Sequence, residues 1–567
     1  MQYDLLIKGG LIADGSGGTS YAGDIGILDG RLHAVGRASG SAREVINADG
    51  LMVAPGFIDH HTHLDAQLLW DPLASSSCWH GVTTVVTGNC SLSLAPCKPE
   101  HRGDLISCFA RVEAISRKAL EAGIEWQWES FGDYLRTLEH QRGVNVACLI
   151  GHNAVRQYVM GSDATERAAT PEEIAGMRRI VKQAMHDGAA GLSLNQSKHH
   201  FREDGKPIPA TVADKHELLE LAAVLRECGH GYVQVNGGSM GSEVSPADNY
   251  KFLRELAQAC RRPILFNLIS HKWQTPHIWK EALELGAECL AQGYRIHGTT
   301  STLPTTFQFN LLNVQVLFDR MPSWAPLMFV TREERMKGFA DPVLRPKLRY
   351  EACEDPSAKG FHKRWDLVTI QEVRLPQNRK WERKTVAELA AAQGKHPVDA
   401  FLDLALSEDL KTEFKTIIGN GDKDAVGQML NHPATIAGTS DAGAHTSFLA
   451  DYGYCTELVG PWVRDRGLMS IERAVHLLTM VPASILGLPD RGQLRPGYMA
   501  DLVLFDPTKV GPCEPTTASD YPAGEMRQVQ EARGIHATII NGKIFVRDGK
   551  HTGALPGQVL RHAPAAT

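Results

Sequence analysis

Pro55-Gly56-Phe57-Ile58-Asp59-His60-His61-Thr62-His63-Leu64-Asp65 is a segment in which an apolar run passes directly into a group of histidines. Side chains alternate between the two faces of a strand, so His61 and His63 point to one side and His60 points to the other. Two neutral imidazoles on one face suit a borderline cation such as zinc. A polar strand end at the surface is the alternative, but the apolar run before the histidines and Asp65 after them favour a metal. We therefore predict that His61 and His63 are metal ligands.

This segment contains the first of eight apolar runs that alternate with helical stretches. The eight predicted strands are residues 56–59, 82–87, 144–150, 190–194, 231–235, 264–269, 294–297 and 434–438. The helix after the third run has clear start signals, with Thr170 as N-cap and Pro171 in the first turn. Strands that alternate with helices indicate a parallel sheet, and eight of them predict a closed (β/α)8 barrel of the TIM type. In such barrels the functional residues lie at the C-terminal strand ends, which is where His61 and His63 are placed.

Both ends of the chain differ from the middle, because they consist of short strands and glycine turns. Asn541-Gly542 is typical of a hairpin, since type I′ turns need a positive φ at both central positions. We predict that residues 1–55 and 490–555 together form a small β-sandwich domain and that residues 56–489 form the barrel. Residues 300–430, between the seventh and eighth strands, are predicted to be an insertion that forms a helical lid or subdomain over the barrel mouth. Its aromatic residues either line a substrate wall or, as we favour, form the core of the insertion; they include Phe307, Phe309, Trp324 and Phe329.

The composition is that of an ordinary globular protein. The 567 residues carry a net charge of −6 and are 43 % hydrophobic. The sequence has no run of lysine and arginine, and no apolar stretch approaches the roughly 20 residues that span a bilayer. These features argue against nucleic-acid and membrane partners and leave a homo-oligomer open. The 11 cysteines are scattered and odd in number, which indicates reduced thiols and predicts a cytoplasmic location.

Two other strand ends carry residues that suit a metal site. The second strand ends in Thr87-Gly88-Asn89-Cys90-Ser91. Cys90 can serve as a ligand because a metal lowers a thiol pKa, or it can simply pack in the core, and spacing leaves both roles open. After the last strand comes Gly438-Thr439-Ser440-Asp441-Ala442-Gly443-Ala444-His445. Asp441 can take a proton from an activated water and deliver it to a departing nitrogen, or it can cap a helix. His445 can contact a substrate or lie on the loop.

Together these motifs resemble the amidohydrolase superfamily. The resemblance rests on His61-Thr62-His63, on Ser440-Asp441 and on the closing segments Leu478-Thr479-Met480-Val481-Pro482-Ala483, Asp490-Arg491-Gly492 and Gly497-Tyr498-Met499-Ala500-Asp501-Leu502-Val503. Within the superfamily, the chain is similar to a longer, divergent branch of the N-acyl-D-amino-acid deacylases (D-aminoacylases). That similarity is carried by Gly88-Asn89-Cys90, Gly151-His152-Asn153-Ala154-Val155-Arg156, Gly205-Lys206-Pro207-Ile208-Pro209 and Trp462-Val463-Arg464. It implies one or two zinc ions, Cys90 as a metal ligand, and Asp441 as a ligand and as general base and then general acid.

The chain departs from these deacylases where they place metal-binding histidines, at the ends of strands five and six. Here strand five runs Gln234-Val235-Asn236-Gly237-Gly238 and strand six runs Phe266-Asn267-Leu268-Ile269-Ser270-His271-Lys272. Other histidines are therefore candidates for additional ligands or substrate contacts, namely His200, His271, His152 and His445. The arginine with which the deacylases bind a substrate carboxylate is also absent before Tyr452-Gly453, where Ala450 and Asp451 stand.

The sequence thus predicts a metal-dependent amidohydrolase that cleaves a C–N bond in a small molecule. The favoured reaction is removal of the acyl group from an N-acyl amino acid or an N-acyl amine. Hydrolysis of a cyclic amide, an imide or a carbamate is the alternative, because metal activation of water serves all of these substrates equally. The third hypothesis, from a different class, is a metal-free barrel that acts as a binding or scaffold protein.

Overall fold

The computed structural model describes residues 2–198, 200–237, 240, 244–312, 316–318, 320–358, 361–446 and 451–563. Eight parallel strands lie side by side in chain order; they are Phe57–Asp59, Val82–Thr87, Asn145–Gly151, Gly191–Asn195, Tyr232–Asn236, Ile264–Asn267, Ile296–Thr300 and Thr435–Ala437. A parallel bridge between Thr62 and Ala442 joins the segments that follow the first and last strands. The sheet therefore closes on itself, and the predicted TIM-like barrel with all eight predicted strands is confirmed.

The barrel strands are recognisable in the sequence because both of their faces are buried. Every residue of Val82–Thr87 and of Asn145–Gly151 is buried. Parallel strands of this kind are filled by side chains on one face and covered by helices on the other, so they read as continuous apolar runs rather than as an alternation.

The helices between these strands begin and end at ordinary capping signals. In the helix Pro171–Asp187, Thr170 and Glu173 form a reciprocal capping box, and Gly188 ends the helix in the left-handed conformation. The other helices of this part of the chain are Gln67–Trp70, Arg102–Val112, Arg117–Gly123, Phe131–Leu138, His152–Met160, Pro209–Val212, Lys215–Cys228, Pro246–Cys260, Ile278–Ala291, Lys423–Asn431, Tyr454–Glu457, Ile471–Leu478 and Met480–Leu486, with a π-helix at Leu458–Asp465.

Strands from both ends of the chain form one nine-stranded sheet. Its members are Gln2–Ile12, Tyr21–Leu28, Arg31–Gly36, Ser41–Asn47, Met52–Pro55, Leu502–Phe505, Ile535–Ile540, Lys543–Arg547 and Lys550–His551. Met52–Pro55 pairs antiparallel with Leu502–Phe505 and so joins the two ends. Asn541 and Gly542 both have positive φ between Ile535–Ile540 and Lys543–Arg547, which is the predicted hairpin turn. The apolar side chains of this sheet make a hydrophobic core of their own.

A second compact unit comprises Ser270–His277 and Pro304–Lys423. Its three strands, Thr305–Phe309, Glu413–Gly419 and Val368–Glu372, form an antiparallel sheet. Its helices are Ala325–Met328, Arg332–Ala340, Arg345–Cys353, Val386–Gln393 and Pro397–Ser407. Trp324 and Phe309 are buried in a separate hydrophobic core of this unit, which agrees with the favoured interpretation of its aromatic residues, whereas Phe329 is 71 % exposed.

The predicted domain boundaries and the predicted lid role of residues 300–430 stay predictions. Within the described ranges, none of the helices combines the length and the apolar character that crossing a membrane requires.

Candidate metal centre

Three of the residues singled out in the sequence meet at the C-terminal end of the barrel. One potential ligand atom from each of His61, His63 and Cys90 lies within 4.8 Å of the other two, and all three side chains are buried. Cys90 Sγ is 3.5 Å from His61 Nε2. Asp441 adds a carboxylate, since its Oδ1 lies 3.2 Å from His61 Nε2 and 3.8 Å from His63 Nε2. The structure therefore brings together all four of the predicted metal-site residues.

The spacing of these atoms fits a tetrahedral zinc ion. Zinc bonds of 2.0–2.3 Å at tetrahedral angles place neighbouring ligand atoms about 3.4–3.6 Å apart. Three separations, from His61 to Cys90, from His61 to Asp441 and from His63 to Asp441, run from 3.2 to 3.8 Å. Imidazole nitrogen, thiolate sulfur and carboxylate oxygen are also the ligand types that zinc prefers. The residues present fit a zinc ion in the chemistry of their donor atoms, and these three separations are close to the zinc values.

The loop after the second strand holds Cys90 in place through local hydrogen bonds. Asn89 Nδ2 donates to the backbone oxygens of Thr62 and Val86, and the Gly88 N–H donates to Asp65 Oδ2. Gly88 has a φ of +81°, and a Cβ at this position would collide with Leu149 O. Glycine is required here, because the left-handed backbone and the close approach both exclude a side chain.

Asp441 is fixed by contacts across the seam where the barrel closes. Ser440 Oγ donates to Asp59 Oδ2 at 2.6 Å, and the Ala442 N–H donates to Ser440 Oγ at 3.0 Å. The His63 N–H donates to Ala442 O at 2.7 Å. The same set of hydrogen bonds therefore holds His61 and His63, after the first strand, and Asp441, after the last strand.

Glu113 is a residue of the site that the sequence analysis missed. It follows the helix Arg102–Val112, is 3 % exposed, and its Oε1 lies 3.5 Å from His63 Nδ1. Its backbone oxygen accepts a hydrogen bond from the His445 N–H at 2.5 Å. A carboxylate on the far nitrogen of a metal-binding histidine orients the ring and increases its basicity. No sequence motif marks such a position at the end of a helix.

Burial sets the protonation of the cluster. It lowers the pKa of His63 to about 3, although Asp441 opposes this, so the ring is neutral at pH 7 and has a free electron pair. It raises the pKa of the Cys90 thiol, as do the charges of Glu113 and Asp441, so a thiolate at this position requires a nearby cation. Burial would also raise the pKa of Asp441, but the contact with His61 and the positive charges that His61 and His63 carry when they are protonated lower it below its usual range.

The remaining candidate histidines occupy different places. His445 and His200 both contribute electrostatically to the lowered pKa of His63, which places them near the cluster. His152 is fully buried, its Nε2 lies 2.7 Å from Glu217 Oε1, and Arg156 contacts the other carboxylate oxygen, Glu217 Oε2. This pairing marks His152 as part of an ion-pair network between two helices.

His271 belongs to the second compact unit. There its N–H donates to Asn420 Oδ1 at 3.0 Å and its ring contacts Trp273. The roles proposed for it and for the other three histidines stay predictions. Ala450, at the position where the deacylases carry an arginine, lies outside the described residues.

The chain is similar to known proteins in both sequence and fold. A family model described as the amidohydrolase family matches residues 44–326 and 352–546. An N-acyl-D-aspartate deacylase of Alcaligenes xylosoxydans xylosoxydans is 30 % identical over 566 residues, which is 99 % of this chain and 95 % of the relative.

Two solved structures share the fold. A D-aminoacylase studied for the role of its binuclear metal center has a TM-score of 0.66 at 24 % identity, over 99 % of this chain and 100 % of its own. The N-acyl-D-glutamate deacylase of Bordetella bronchiseptica, complexed with zinc and a phosphonate inhibitor, has the same TM-score and identity over the same shares.

Proposed function

This chain belongs to the amidohydrolase family, and from that premise we propose that it is a metal-dependent hydrolase that deacylates N-acyl amino acids or N-acyl amines. The observation that carries the proposal is the buried group of His61, His63 and Cys90, whose ligand atoms lie within 4.8 Å of one another, with Asp441 Oδ1 at 3.2 Å from His61 Nε2 and 3.8 Å from His63 Nε2. We assign these four residues as the metal ligands and Asp441 as the catalytic acid and base.

A divalent cation bound there would lower the pKa of a water molecule and polarise an amide carbonyl. Asp441 supplies the proton transfer. The Asp441 carboxylate, when ionised, can accept a proton from water and deliver it to the departing nitrogen. Its side chain is 30 % exposed while His61 and His63 are 1 % exposed. Of these three residues, Asp441 is therefore the one that solvent and a substrate nitrogen can reach.

The relatives support an N-acyl amino acid as the substrate class. The Alcaligenes relative is an N-acyl-D-aspartate deacylase and aligns over nearly its whole length. We extend the acyl-amide chemistry, and not the aspartate preference, to this chain. All eleven cysteines are free, which supports a reducing, cytoplasmic location for the enzyme.

Metal content and hydrolysis, measured together, test the proposal. Zinc should be present after purification or reconstitution and should be lost in His61→Ala/His63→Ala. The matched control is His140→Ala/His216→Ala, which removes two exposed histidines from elsewhere in the chain and should retain the metal. Asp441→Asn should reduce amine release from N-acetyl amino acids at least about 100-fold. A wild type that binds no metal after reconstitution would instead support the scaffold hypothesis.

A panel of substrates separates the enzyme hypotheses. N-acetyl-D- and N-acetyl-L-amino acids, N-acetyl amines and a cyclic imide are compared at equal concentration. Faster opening of the cyclic imide than hydrolysis of every N-acyl compound would overturn the assignment of substrate class while leaving the metal site intact.

A further inference from the structure

One side of Cys90 is enclosed by a chain of amide side chains. Gln234 Oε1 accepts from the Cys90 N–H at 2.9 Å and from Ser193 Oγ at 3.0 Å. Gln234 Nε2 donates to Asn267 Oδ1 at 2.5 Å, and Asn267 Nδ2 lies 3.6 Å from Cys90 Sγ. The chain therefore starts at the backbone of Cys90 and returns to its sulfur.

Backbone donors fix the direction of every hydrogen bond in this chain. The N–H groups of Cys90 and Ser91 can only donate, to Gln234 Oε1 and to Ser193 Oγ respectively. The Ser193 hydroxyl therefore gives its own proton to Gln234. With Gln234 Oε1 used in this way, its NH2 must face Asn267 Oδ1, and the NH2 of Asn267 must face Cys90. Neither amide can be reversed without setting donor against donor.

The sulfur consequently has two unlike sides. On one side is His61 Nε2, at 3.5 Å, an atom that can share an electron pair with a cation. On the other is the Asn267 NH2, which presents hydrogens to the sulfur and repels a cation. The two amide oxygens that could bind a cation are already hydrogen-bonded within the chain.

We propose that the centre holds a single divalent cation, on the His61 side of Cys90, and that the amide chain closes the other side to a second one. This inference rests on the proposed function, because it presupposes a metal site at His61, His63 and Cys90. It assigns Asn267 and Gln234 as positioning residues that determine metal stoichiometry without binding the metal.

Metal stoichiometry of the whole protein, measured by elemental analysis after equilibration with excess zinc or cobalt(II), tests this proposal. Binding should saturate at one equivalent, and the cobalt protein should show the charge-transfer absorption of a thiolate ligand. Saturation at two equivalents would overturn the single-cation inference and leave the proposed function standing. Binding of none would overturn the proposed function itself.

Asn267→Asp tests the role of the amide chain, because it replaces the NH2 that faces Cys90 with a carboxylate oxygen. This variant should bind a second equivalent of cobalt(II). Asn47→Asp makes the same charge change at an exposed position and should stay at one. If Asn267→Asp also stays at one equivalent, the amide chain does not limit the stoichiometry and that assignment is wrong. The wild-type measurement decides the cation number even if the variant does not fold.

Discussion

Replacement of Glu113 by glutamine should weaken metal binding without weakening the fold. Its Oε1 lies 3.5 Å from His63 Nδ1, and two unit charges at that distance interact by at most about 5 kcal/mol at an effective dielectric of about 20. An imidazole that binds a cation carries only part of a unit charge, so we expect an interaction energy that is a fraction of this upper limit. Loss of such a carboxylate typically lowers metal affinity 10- to 100-fold, which corresponds to about 1.4–2.7 kcal/mol. This cost is roughly a quarter to a half of the upper limit.

Competition with a chromophoric chelator measures this affinity, and chemical denaturation of the metal-free proteins measures stability. Burial raises the pKa of Glu113 well above its usual value, so the charged form is disfavoured and metal-free Glu113→Gln should be at least as stable as the wild type. Glu125→Gln, an exposed control, should change neither quantity. Equal metal affinities of wild type and Glu113→Gln would refute the orienting role of this carboxylate.

Three further changes probe the structure around the site. Burial lowers the pKa of His80 from 6.5 to about 4. The imidazole of the unfolded chain therefore binds a proton at a higher pH than that of the folded chain. As the pH falls from 6.5 to about 4, the free energy of unfolding should decrease by up to about 3 kcal/mol. The stability difference between wild type and His80→Gln in urea titrations should accordingly narrow from pH 7 to about pH 5, and a constant difference would contradict this. Arg491→Met leaves Asp501 buried without its guanidinium partner and should cost about 3–5 kcal/mol in chemical denaturation, whereas a loss below about 1 kcal/mol would show the pair to be dispensable. Gly88→Ala should lower metal content because the new Cβ collides with Leu149 O. In the control Gly50→Ala, the backbone φ is also positive but nothing lies near the new Cβ, so the fold should be destabilised by only about 1–2 kcal/mol.

The sequence predicts the barrel well because local patterns report it directly. Strands such as Val82–Thr87 are buried on both faces, so each appears as an uninterrupted apolar run bounded by turns. His61 and His63 are predictable for a similar reason, since side chains two residues apart at the end of a strand lie on the same face. Spacing alone leaves the role of Cys90 open, and only the resemblance to the deacylases indicates a metal ligand.

The parts that the sequence did not predict depend on tertiary contacts. Glu113 reaches His63 from the end of a helix, and no periodicity or motif distinguishes it from other helix-end glutamates. In the sequence, the strands of Gln234 and Asn267 stand out only because they lack histidine at their ends. The hydrogen-bond chain that returns to Cys90 forms only when three barrel strands lie side by side.

Pairing between distant parts of the chain imposes an order on biosynthesis. His61 and His63 leave the ribosome early, but Asp441 and the Ala442 bridge to Thr62 come late, so the nascent barrel has an open seam and an incomplete ligand set for most of translation. The strand Met52–Pro55 likewise waits for Leu502–Phe505. Until then it presents an unpaired edge of the kind that promotes association between chains. This edge of Met52–Pro55 therefore stays unpaired until Leu502–Phe505 has been synthesised, and the ligand set is complete only after Asp441 has been added.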